Sequence, residues 1–165
     1  MSPPPDQTAI LLPLVTGVGL TFCTIVIHGI AVVAIVHFVL RQRRFGHAGV
    51  RLWRDMAIVV EVSMMALAAH LIEMTLWAAA FFLLGELPDF PGAFVYSAQS
   101  YTSLGGGGVI LTASWRLLEP LETADGLLMF GITTAIVFAI VQRLVEVRFG
   151  LSDHPGSAAK ASTAG

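Results

Sequence analysis

From Ala9 to Leu40 the chain runs for 32 residues without a single Asp, Glu, Lys or Arg. As a helix that run is about 48 Å long, against roughly 30 Å of hydrocarbon in a bilayer. A stretch so apolar and so long is a membrane helix, tilted, kinked at Pro13 or projecting beyond the lipid. Two further runs follow. Asp55–Leu84 is apolar except for Glu61, His70 and Glu73, and Asp125–Val147 has Leu127–Val141 as its uncharged heart. The whole chain is 56% hydrophobic and 12% charged, where soluble domains carry about 25% charged residues. Such a composition rules out a disordered chain and nucleic-acid binding through a basic surface. The one cysteine, Cys23, excludes a disulfide framework or a cysteine-based metal cluster. Met1–Asp6 lacks the positive start of a signal peptide.

Arginine sets the expected orientation. Arg41, Arg43, Arg44, Arg51 and Arg54 follow the first span, and Arg143 and Arg148 end the third. Gly85–Ala124 has only Arg116, beside Glu86, Asp89, Glu119 and Glu122. The positive-inside rule then puts the arginine loop and the C-terminus in the cytoplasm, with the N-terminus and Gly85–Ala124 outside an inner (plasma) membrane.

Gly85–Ala124 is too short and too interrupted to be a fourth crossing. Pro88-Asp89-Phe90-Pro91 reads as a helix start, with Asp89 as N-cap. An apolar helix of about ten residues over Gly92–Tyr101 has the length of a re-entrant segment. A glycine run follows, and then a return through Trp115-Arg116. Non-helical backbone survives at membrane depth only where it is buried in protein or lines a watery cavity. A short helix, a glycine-rich loop and a return make up a pore loop.

Four stretches carry a resemblance: His70-Leu-Ile-Glu-Met-Thr-Leu-Trp77, Tyr96-Ser-Ala-Gln-Ser-Tyr-Thr-Ser-Leu-Gly105, Trp115-Arg-Leu-Leu-Glu-Pro-Leu-Glu122 and Gly126-Leu-Leu-Met-Phe-Gly-Ile-Thr-Thr-Ala135. The chain resembles the pore module of the potassium-channel superfamily, in particular small bacterial two-transmembrane ion channels, over roughly Met56–Arg143. The resemblance implies an all-α membrane protein in which a re-entrant pore helix and filter loop lie between the second and third transmembrane helices, assembled as a homotetramer around one axis. The expected divisions are an external N-terminus (1–8), a first transmembrane helix (9–40), a basic cytoplasmic loop (41–54), a pore module (55–147) and a disordered cytoplasmic tail (148–165). The family's filter pattern Thr-Val-Gly-Tyr-Gly-Asp falls on Ser103, Leu104, Gly105, Gly106, Gly107 and Gly108. Glycine therefore stands at the Tyr and Asp positions. Without side chains wedged behind it, such a loop is expected to be wider and to distinguish K+ from Na+ poorly.

Glu119, Glu122 and Asp125 are candidates for acidic rings at the outer mouth, where they would concentrate cations; the other reading is solvated loop charges, one of them paired with Arg116. His70 lies near the middle of the second span, Glu73 one turn outward on the same face, and His28 at a similar depth. Two readings of His28, His70 and Glu73 stay open: a polar network locking the spans together through Thr133 or Thr134, or a proton- or metal-sensitive cluster. Gly131 is either a hinge or a packing position. The expected function is a non-enzymatic pore-loop channel with no cofactor, passing monovalent cations, K+ among them, in a lipid bilayer and with no nucleic-acid partner. A non-conducting channel-like scaffold or sensor is the alternative, and a His/Glu metal- or proton-handling protein ranks third.

Overall fold

The computed structural model describes residues 7–44, 52–105 and 107–149. Four helices make up the described chain: α1 (Gln7–Arg44), α2 (Leu52–Leu83), α3 (Phe90–Tyr101) and α4 (Leu118–Phe149). Three of them, over Ile10–Gln42, Leu52–Leu83 and Leu118–Phe149, are long and apolar enough to cross a membrane. The first expected span is thus seen as one helix of 38 residues that continues through Pro13. The third begins earlier than its hydropathy suggested. Glu119 and Glu122 made the stretch before Asp125 read as a loop, yet both lie in α4, and Pro120 falls in its first turn, where a missing N–H goes unnoticed.

α1 turns mostly small and polar residues inward and large apolar ones outward. On α1 the buried positions Pro13, Gly17, Thr24, His28 and Ile35 form one stripe, while Phe22, Ile25, Val26 and Ile30 are exposed. This is the reverse of a soluble helix and suits packing inside lipid, where close backbone approach replaces the hydrophobic drive. At one end an apolar cluster gathers Trp77, Phe81, Tyr96, Leu118 and Met129, and at the other Ile35, Ile58, Val62, Ala66 and Leu144. The second end is tied by an ion pair of 2.8 Å between Asp55, in the first turn of α2, and Arg148, in the last turn of α4.

α3 forms where its sequence asks for it. Asp89 sits in extended backbone and its carboxylate accepts from Gly92 N–H at 2.7 Å, with Pro91 in the first turn. The helix then runs back along α2. Phe90 meets Phe82 near the end of α2 (ring centres 6.3 Å apart), Tyr96 meets Phe81 (5.1 Å), the Ser97 hydroxyl donates to the Met74 carbonyl (2.8 Å), and Tyr101 reaches Glu73. The chain beyond it comes back: Thr112 N–H and Oγ1 donate to Glu86 Oε2 and Oε1 at 2.7 and 2.6 Å, just past the end of α2. α3 packs on α2 and α4.

Candidate functional site

Where α3 ends, all four helices contribute to one buried polar layer. His28 comes from α1, His70 and Glu73 from α2, Tyr101 from α3 and Thr133 from α4. His28 Nδ1 is 2.9 Å from Glu73 Oε1, and the Tyr101 hydroxyl is 2.5 Å from Glu73 Oε2. His70 Nδ1 lies 3.1 Å from that hydroxyl and 3.3 Å from Glu73 Oε2. The far nitrogens of both rings converge on one atom, Thr133 Oγ1, at 3.0 Å from His70 Nε2 and 3.2 Å from His28 Nε2. Glu73 and Tyr101 are 0% exposed, and the two histidines are 3% exposed.

These five groups close a ring. The Tyr101 hydroxyl donates to Glu73 Oε2, Glu73 Oε1 meets His28 Nδ1, His70 Nδ1 lies against both the Tyr101 hydroxyl and Glu73 Oε2, and the two Nε2 atoms meet at Thr133 Oγ1. Every polar atom of the layer has a partner, which is what low-dielectric surroundings demand. Burial, with Glu73 beside it, raises the Tyr101 hydroxyl above the ordinary phenol value and keeps it a donor. The expected partner Thr133 is in place, whereas Thr134 is exposed and donates instead to the Phe130 carbonyl at 2.8 Å.

A second polar layer lies about one turn away. Asp125 takes Thr24 Oγ1 at 2.9 and 2.8 Å and the Trp77 indole N–H at 2.9 Å. Glu122 Oε1 is 2.5 Å from the Ser97 hydroxyl, which also reaches the Met74 carbonyl at 2.8 Å. Here the sequence-based expectation is corrected. Asp125 is 2% exposed and Glu122 is fully buried, so neither stands in an outer mouth. Both project from the inward stripe of α4 into the bundle, because the helix starts before them and its packing face carries them. Glu119, in the first turn, is half-buried.

The proposed filter positions form an irregular loop. Ser103, Gly105, Gly107 and Gly108 have positive φ (62°, 81°, 63° and 87°), and Ser103 alone among the described residues does so with a side chain. Gly107 N–H donates to the Gly105 carbonyl at 2.8 Å, tying that oxygen into a tight turn, and Leu104 is 81% exposed. Gln99 fills the space beside Gly107. Gly106 lies outside the described residues.

Gly131 faces open space, and the close-packing glycine is Gly126, where a Cβ would collide with the Tyr101 carbonyl oxygen. Tyr101, Thr24, Ser97 and Gly126 were not singled out from the sequence. A signal for part of this existed: Thr24 is one turn from His28 and Trp77 one turn from Glu73, so two helices repeat the same polar step. Set against protein-family models, characterised proteins and solved structures, the chain matches none of them.

Proposed function

We propose that the protein is the subunit of a homotetrameric pore-loop channel that passes monovalent cations with poor discrimination between K+ and Na+. The observation that carries the reading is the excursion of α3 and its loop. The helix leaves the end of α2 at Phe90, runs back to the level of Glu73, and the loop returns to Glu86 through Thr112. Irregular backbone at that depth needs a protein or water surround, and four such loops around an axis provide one. The C-terminal, negative end of α3 then points toward the axis and favours cations. Exposed Leu104 and Ile110 on the loop are the surface that neighbouring subunits would cover.

Weak selectivity follows from the loop's own geometry. A selective filter presents rows of carbonyls as a substitute hydration shell. Here the Gly105 carbonyl is occupied by Gly107 N–H, and four consecutive glycines supply no side chain to brace the strand. The same two facts favour the second reading, a channel-like subunit without flux of its own. Planar-bilayer recording of the purified protein under K+/Na+ gradients separates the two. Unitary cation currents with a reversal potential near zero between K+ and Na+ support the channel, and the double change Gly106→Tyr with Gly108→Asp is expected to shift reversal toward K+. Strong K+ preference in the unmodified protein would overturn the account of the loop, and silence of well-folded tetramers would favour the non-conducting subunit.

A further inference from the structure

We propose that His28, His70, Glu73 and Tyr101 form a binding site for a divalent transition-metal ion of the zinc class, held in the middle of the helix bundle. The proposal does not rest on ion conduction.

The donor set comes first. His28, His70 and Glu73 each offer a ligand atom, all within 4.8 Å of one another and all buried. Two imidazoles and one carboxylate, with an oxygen in the fourth position, are a common zinc set. Nitrogen donors and a ligand count of four argue against Ca2+ and Mg2+, which take six or more oxygens.

The spacing fits as well. Ligands at about 2.0–2.1 Å from a tetrahedral ion stand roughly 3.3 Å from each other. The structure has 2.9 Å from His28 Nδ1 to Glu73, 3.3 Å from His70 Nδ1 to Glu73 and 3.1 Å from His70 Nδ1 to Tyr101. The Tyr101–Glu73 pair, at 2.5 Å, has to open, and the donor atoms of His28, His70 and Glu73, which lie within 4.8 Å of one another, have to draw in around the ion.

The surroundings point the same way. Both Nδ1 atoms face Glu73 while both Nε2 atoms rest on Thr133 Oγ1. A histidine that binds metal through one nitrogen carries its hydrogen on the other and donates it to a fixed acceptor. The Thr133 oxygen has two lone pairs and can accept from both rings at once. In the metal-free ring it must instead accept from one and donate to the other, so its contact with two Nε2 atoms suits the metal-bound state at least as well.

The experiment uses the full chain with Cys23→Ser, purified without a histidine tag in mild detergent and titrated with Co2+ at mildly alkaline pH. The expected result is one Co2+ per chain with intense tetrahedral-type visible absorption, displaced by equimolar Zn2+ and not by Mg2+. His28→Gln and His70→Gln should each abolish the signal, and Thr133→Ala should weaken binding by about tenfold to a hundredfold while keeping the spectrum. Absence of stoichiometric absorption overturns the proposal even if the histidine variants fail to fold. A signal that persists in both folded histidine variants also overturns it, and assigns the ion to His37, His47 or His154.

Discussion

Gly126 and Gly131 are five residues apart on α4 and do opposite things. A Cβ at Gly126 would run into the Tyr101 carbonyl oxygen, a backbone atom that cannot swing aside, whereas a Cβ at Gly131 meets nothing within 4 Å. The first glycine is what lets α3 come close enough for Tyr101 to reach Glu73. Gly126→Ala is therefore expected to destabilise the protein by about 3 kcal/mol, the upper end for overpacking, and to lower its thermal unfolding midpoint in detergent. Gly131→Ala should be neutral or stabilising by up to about 1 kcal/mol, since glycine in a helix interior is the less favourable residue. Equal midpoints for the two variants would mean that α3 and α4 do not touch at this point.

At the scale of elements, the tip of the loop after α3 has little apolar burial to hold it. Ser103, Leu104, Gly107 and Val109 are exposed, and the return is anchored by Leu111, buried in the apolar cluster, and by the two bonds from Thr112 to Glu86. Their combined net worth at an exposed site is about 1–2 kcal/mol. Glu86→Ala should accordingly speed amide exchange over residues 102–112 by roughly tenfold while leaving α2 and α4 unchanged, because local opening is governed by local contacts. Exchange that rises across the whole chain would instead make Glu86 part of the global fold. α3 itself, with its Asp89 cap and its contacts along α2, is expected to stay protected.

For the whole molecule, the decisive quantity is the number of chains. Under the channel proposal one α3–loop unit would supply one wall of a pore, and closure about an axis would require several identical copies. With a chain of 17.6 kDa, a tetramer has about 70 kDa of protein, which native mass spectrometry from mild detergent should read directly. A stable monomer would defeat the channel proposal and leave the buried ring with the α1–α4 bundle around it untouched. The bundle already satisfies that ring within one chain, so its integrity should not vary with protein concentration.

What the sequence determined by itself were the properties that each segment settles locally. Three helices were legible because lipid demands long apolar runs whose backbone bonds close within the segment. α3 was legible because Asp89 and Pro91 form a cap and first turn within a few residues of each other. The pairing of His28 with His70 and Glu73 was visible as a matter of depth, and the structure brings the three together. Which carboxylates face inward was not legible. A charged residue at a helix start and one in a loop look alike in hydropathy, so Glu122 and Asp125 read as a wet rim when they are buried partners of Ser97, Thr24 and Trp77. Tyr101 was hidden for a related reason. Its role depends on how closely α3 approaches α4, and that distance is decided by the missing side chain of Gly126 on a different helix. Helix existence is a one-dimensional property, while the choice of partners depends on the approach of packed helices, which only the tertiary structure decides.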